Sequence, residues 1–144
     1  MFRKVTEQVW VSPQILPADV TVAAAQGIVL IINNRPEDEA PDQPAGASIA
    51  AAAAAAGIGY LEIPVSHAGF SQPQVAAMGH ALASAGGPVL AFCRSGTRST
   101  LLWALSEAAG GANPAELASA AAGAGYDLSP IAAMLDLLAG APRG

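Results

Sequence analysis

Positive charge is scarce in this chain. Six lysines and arginines stand against eleven aspartates and glutamates, giving a net charge of −5. That balance offers no general attraction to nucleic acid or to an anionic membrane surface, so neither is expected as a partner. Cysteine occurs once, as Cys93. One thiol forms no internal disulfide, and a reducing cytoplasm is the expected setting. Histidine occurs only at His67 and His80, without companion cysteines. No metal site and no cofactor are therefore expected. Long apolar runs are missing too. The alanine run 50–56 stops at Gly57, well short of the roughly 20 residues that cross a bilayer. The N-terminus has cationic residues but no apolar stretch behind them, so no signal peptide is expected.

What is present is apolar and small. Hydrophobic residues make up 53% of the 144 positions, many of them alanine. A core of alanine must be helix-rich and closely packed, because each residue buries little area. The length suits one domain over residues 1–144. Short β-branched runs alternate with helical stretches, the pattern of a parallel α/β sheet with helices on both faces. Strands are expected at Gln8–Ser12, Ile28–Asn33, Tyr60–Val65 and Pro88–Phe92, the last wholly apolar and therefore central. Helices are expected over Pro17–Gly27, Ser48–Ala56, Ser71–Ala85 with Ser71 as N-cap, Ser99–Ala109, Pro114–Ala122 and Leu128–Leu138. Residues 35–44 read as a polar, proline-rich loop, and residues 140–144 as a fraying end. Trp103 reads as core, Trp10 as core or an oligomer contact, and His80 as a surface or packing residue.

Two of the six cationic residues flank the lone cysteine, in Phe92-Cys93-Arg94-Ser95-Gly96-Thr97-Arg98-Ser99. This is a tight loop between a strand and a helix, at the sheet edge where open α/β folds bind ligands. A helix expected to begin just past Arg98 has unpartnered amides and a positive dipole end. The main chain through Arg94, Ser95, Gly96 and Thr97 can aim its amides inward and form an anion nest. Cys93 opens that nest, where amides, helix end and arginine all favour thiolate over thiol. Gly96 permits the torsions of a concave turn. Arg98 closes it with a planar fork for an oxyanion. Ser99 is positioned to donate to the thiolate or to cap the helix, and Arg94 to face substrate or solvent.

The hexapeptide Cys93–Arg98 resembles the active loop of rhodanese-type sulfurtransferases, Cys-X4-Arg. The wider sequence, through "GIVLIINNRPEDE", "AAAAAGIGYLEIPV" and "GPVLAFCRSGTRSTLLWAL", is similar to the phosphatase-like domain of beta-lactamase-hydrolase-like proteins over about residues 5–110. That resemblance implies a three-layer fold like that of dual-specificity cysteine phosphatases, with a mostly parallel sheet of four to five strands. Members of the family stand alone or are fused to a metallo-beta-lactamase-like persulfide dioxygenase domain. These 144 residues lack its metal-binding histidines, so that second domain is not expected within them.

Two chemistries compete at such a loop. Cysteine phosphatases carry histidine before the cysteine and five residues between cysteine and arginine. This chain has Phe92 and only four. They also use a general acid about 30 residues before the cysteine, and the matching stretch, Ile63–Phe70, holds His67 but no carboxylate. Sulfur transfer does without that acid, because the leaving sulfite or thiolate is already a stable anion. The expected activity is therefore a sulfurtransferase working through a Cys93 persulfide. Its donor would be thiosulfate or glutathione persulfide and its acceptor a thiol or cyanide. A phosphatase with a Cys93 phosphoenzyme is the alternative, and a non-catalytic anion or redox sensor the third reading. Arg35 is placed either to bind an anionic donor or to pair with Glu37 or Glu39, and His67 to line the pocket wall. A homo-oligomer is compatible with this reading.

Overall fold

The computed structural model describes residues 2–140. Five strands form one sheet in the order β1-β2-β5-β3-β4. They are β1 Arg3–Lys4, β2 Val9–Ser12, β3 Leu30–Asn33, β4 Gly59–Glu62 and β5 Val89–Phe92. Only the β1–β2 pair is antiparallel. The six helices are α1 Pro17–Ala25, α2 Gly46–Ala56, α3 Gln72–Ser84, α4 Thr97–Ala109, α5 Pro114–Gly123 and α6 Ala132–Ala139. A 3₁₀ turn, Ser129–Ile131, leads into α6.

Alternation along the strands divides the apolar residues between two layers. Leu90 and Phe92 of β5 and Ile31 of β3 join Ile15, Val20 and Ile49 in the core beneath α1 and α2. Val89, Ala91 and Ile32 point the other way, into a larger core with Met78, Leu102, Trp103, Leu105 and Leu135. Helices α3, α4, α5 and α6 cover that second face. β5 lies at the centre and is buried at every position, as its unbroken apolar sequence predicts.

Most elements fall where the sequence places them. Ser71 caps α3 as expected. Its Oγ accepts from the Gln74 amide at 3.3 Å, and Gln74 Oε1 accepts from the Ser71 amide at 2.8 Å. Helix α2 stops at Gly57, which adopts φ 76°. Three differences matter. β1 was unanticipated, because a two-residue strand carries no periodicity. β4 ends at Glu62, before Pro64, although the Ile63 and Val65 amides still bond to β3's end at 3.0 and 2.9 Å. Helix α4 begins at Thr97 rather than Ser99, so Arg98 stands in its first turn. The expected fraying of residues 140–144 falls, past Gly140, outside the described residues.

The parallel strands end level with one another. Ser12, Phe92 and Asn33 are register partners, and Asn33 also faces Glu62. The segments that follow, beginning at Pro13, Cys93, Asn34 and Ile63, therefore emerge at one edge and build the site.

Candidate active site

Cys93 leaves β5 with its amide bonded to the Ser12 carbonyl at 3.4 Å. Its side chain is fully buried. Its Sγ accepts a hydrogen bond from the Gly96 amide at 3.1 Å. The chain then turns at Gly96, at φ 90°, straight into α4. The first helical bond runs from the Thr100 amide to the Gly96 carbonyl at 3.0 Å. Among the described residues, the amides of Arg94, Ser95, Arg98 and Ser99 find no acceptor in the protein. Unpaired amides of this kind cost free energy unless a ligand or water meets them, and at a helix start they suit an anion.

Arg98 is the second wall. Its guanidinium grips Glu39 through two bonds, Nη1 to Oε2 and Nη2 to Oε1, both 2.7 Å. Nη1 also donates to the Val65 carbonyl at 2.7 Å. Of the five N–H groups of a guanidinium, Nε and the second Nη2 hydrogen are left without an oxygen acceptor. That is one intact donor edge. Glu39's hydrogen bonds raise the Arg98 pKa most, burial opposes them, and the charge of Cys93 raises it further. The sulfur is thus within the electrostatic reach of the guanidinium.

Glu39 receives a second arginine. Arg35 Nε donates to its Oε1 at 3.0 Å, and Arg35 Nη1 donates to Gln14 Oε1 at 3.0 Å. Two guanidiniums and one carboxylate leave the cluster with one net positive charge. The hydrogen bond from Arg98, helped by Arg35, pulls the Glu39 carboxyl down from 4.5 to about 2 against the effect of burial. Glu39 is ionised at every physiological pH and cannot serve as a proton donor. Gln14 ties this cluster to the loop, since its own amide bonds to the Arg94 carbonyl at 3.3 Å.

The predicted residues separate into two groups. Cys93, Gly96 and Arg98 lie on one loop and the first turn of α4, with the Gly96 amide bonded to Cys93 Sγ. Arg94 is exposed. Ser95 and Thr97 are exposed too, and the Ser95 hydroxyl donates to Thr97 Oγ1 at 3.0 Å. Ser99 does not point to the sulfur. It is buried and donates to Asn34 Oδ1 at 2.8 Å, and Asn34 Nδ2 in turn holds the Ile63 carbonyl at 2.9 Å. With Ser99 inside the helix instead of at its start, its side chain faces the sheet edge. Arg35 pairs with Glu39, the second of its two expected placements, and bears on the site through that carboxylate. Glu37 caps α2 instead, accepting from the Gly46 amide at 2.8 Å. His67 is exposed, in a turn two residues past Val65, and makes no hydrogen bond to the loop. Phe92, where a phosphatase carries histidine, lies in the α1/α2 core. Trp103 is core, Trp10 is partly buried under the Lys4 ammonium at 5.8 Å, and His80 is exposed.

Three participants escaped the sequence. Glu39 was legible only as a possible partner of Arg35, four residues earlier. Gln14 gave no signal. Neither did Tyr126, whose hydroxyl donates to the Ser95 carbonyl at 3.0 Å and whose ring lies against Gly96.

A buried cysteine at the carboxyl edge of this sheet, just ahead of a helix start with unpaired amides, belongs to a phosphatase-like fold. Comparison with known proteins agrees. The family profile described as "Beta-lactamase hydrolase-like protein, phosphatase-like domain" matches residues 1–112, and the chain belongs to that family. A "Beta-lactamase hydrolase-like protein" of Agrobacterium fabrum is 39% identical over 108 residues, 75% of this chain but only 25% of that relative. The chain therefore corresponds to about a quarter of that relative's length. A solved structure of a "putative phosphatase" from Neisseria meningitidis superposes with a TM-score of 0.83 at 36% identity, covering 94% of this chain and 96% of that one. A second "putative phosphatase", from Shewanella putrefaciens, shares the fold at a TM-score of 0.73 and 20% identity, covering 96% and 85% of the two chains. The architecture is that of the cysteine phosphatases, as the sequence resemblance implied. The comparisons fit the phosphatase alternative better than the sulfurtransferase expectation.

Proposed function

We propose that the protein is a cysteine-dependent phosphatase acting on phosphate monoesters. One observation carries the reading: the Cys93 sulfur accepts from the Gly96 amide at the start of α4, where the amides of Arg94, Ser95, Arg98 and Ser99 and one edge of Arg98 are left without acceptors, donors suited to the equatorial oxygens of a phosphoryl group. Cys93 thiolate attacks phosphorus, an S–P bond forms, and the P–O bond to the leaving group breaks with its electron pair on oxygen. Water then attacks phosphorus, the thiolate departs, and inorganic phosphate is released with the water's proton lost to solvent. The amides and the Arg98 edge hold the phosphoryl oxygens through both steps. Glu39 keeps that edge aimed. His67 is the titratable side chain of the loop after Val65 and the candidate donor to poor leaving groups.

The test is hydrolysis of an aryl phosphate between pH 5 and 8, with Cys93→Ser and Arg98→Lys beside the wild type. Turnover should vanish in Cys93→Ser and fall by about two to three orders of magnitude in Arg98→Lys, because an ammonium lacks the planar fork. Absence of wild-type turnover on several aryl phosphates would remove the reading.

The spacing itself supports a second reading. Four residues between Cys93 and Arg98, with Phe92 ahead, is the rhodanese-type loop length. In that chemistry Cys93 attacks the outer sulfur of thiosulfate or of glutathione persulfide. The S–S bond breaks with its electron pair on the leaving sulfite or glutathione thiolate, and cyanide or a thiol takes the terminal sulfur. Thiocyanate formation from thiosulfate and cyanide, lost in Cys93→Ser, would favour it over hydrolysis.

A further inference from the structure

One peptide unit of the loop is held at both ends. The Ser95 carbonyl accepts from the Tyr126 hydroxyl at 3.0 Å, and the Gly96 amide donates to Cys93 Sγ at 3.1 Å. In a trans peptide these two groups share a plane and point in opposite directions, so fixing the carbonyl aims the amide. At Gly96, with φ 90° and ψ −10°, no side chain opposes rotation of the preceding peptide unit. Turned over, that unit would present the Ser95 oxygen to the sulfur and replace a donor by the negative end of a dipole. The missing side chain also admits the phenol. A Cβ at Gly96 would collide with Tyr126 Oη and lie 2.9 Å from Cζ.

Tyr126 is itself fixed from behind. Its amide bonds to the Ala121 carbonyl at 2.9 Å, closing α5. The Arg3 guanidinium lies 5.3 Å from its ring centroid, and Arg3 Nη1 donates to the Ala124 carbonyl at 3.2 Å. β1 and the segment after α5 thereby converge on the loop. Tyr126 lies beyond residues 1–112, the span of the family match.

We infer that Tyr126 is a positioning residue for the nucleophile loop: its hydroxyl locks the Ser95–Gly96 peptide so that the Gly96 amide faces Cys93 and any anion above it. The phenol remains a donor, since burial raises its pKa most, with Arg3 opposing and the charge of Cys93 adding to the rise. The inference rests on Cys93 as the centre of an anion cradle, but not on phosphate turnover.

Tyr126→Phe isolates the hydroxyl, because ring, packing and Arg3 stacking remain. Three measurements on wild type and variant decide it: the Gly96 amide resonance by ¹⁵N–¹H correlation, the affinity for inorganic phosphate by calorimetry, and the thermal midpoint. The variant should move the Gly96 amide proton upfield. It should bind phosphate about tenfold more weakly, the scale of one lost hydrogen bond to a charged group, with its midpoint nearly unchanged. An unmoved Gly96 resonance would overturn the inference, as would equal phosphate affinity in the two proteins. The Gly96 resonance needs no turnover. A protein that hydrolyses nothing but shows the shift would retire the phosphatase reading and leave the lock standing.

Discussion

Replacing Glu39 by glutamine keeps the side chain's shape and removes its charge from between Arg35 and Arg98. The carboxyl is held at about 2 against an ordinary 4.5. By linkage that difference is about 3 kcal/mol of stability at neutral pH, at roughly 1.4 kcal/mol per unit. Solvent screening at a side chain that is still 12% exposed reduces the figure to about 2 kcal/mol. For a chain of this length the thermal midpoint of Glu39→Gln should fall by about 4–8 °C at pH 7. Because the folded pKa is depressed, the contribution is present above the unfolded value and is lost as pH falls from about 4.5 to about 2. The gap between wild type and variant should therefore close across that interval. Differential scanning calorimetry at pH 7, 4 and 2.5 follows it. A gap that stays constant down to pH 2.5 would refute the ion-pair account and leave only packing. Turnover should fall as well, since the freed guanidinium no longer presents its Nε–Nη2 edge to the loop.

Gly96→Ala should cost about 2 kcal/mol or more and abolish most anion binding, through a left-handed φ and a Cβ lodged against Tyr126; chemical denaturation and phosphate calorimetry check both. Asn34→Ala strands the buried Ser99 hydroxyl and the Ile63 carbonyl, so urea unfolding should show a loss of about 2–3 kcal/mol, more than the ~1 kcal/mol expected for Ser99→Ala. Ser71→Ala removes the α3 cap and should cost about 1 kcal/mol in the same assay while leaving catalytic rates untouched.

How far the sequence could reach follows from these residues. The strands β2, β3 and β5 and the capped helices were legible because burial leaves β-branched runs and helix ends leave Ser71 and Gly57 behind. The Cys93 loop stood out as a candidate because a strand, a thiol, a glycine and an arginine fall within a few residues. The site's long-range partners were not. Arg98 meets Glu39 from 59 residues away, and Ser95 meets Tyr126 from 31. Such contacts are made by topology, and a polar residue in a loop looks the same in sequence whether it meets water or a guanidinium. The start of α4 was misplaced by two residues for a related reason. Glycine at the N-cap makes no side-chain bond, and Ser99 offered a more familiar cap. The balance between hydrolysis and sulfur transfer shifted because whole-chain architecture speaks for the first, while a short loop speaks for the second.

A crystal structure of the wild-type protein with inorganic phosphate tests the central claim most directly. The anion should lie over Cys93 Sγ, its oxygens met by the amides of Arg94, Ser95, Arg98 and Ser99 and by the Nε–Nη2 edge of Arg98, with Glu39 still gripping the opposite edge. Phosphate bound elsewhere, with the loop empty and those amides turned to solvent, would contradict it.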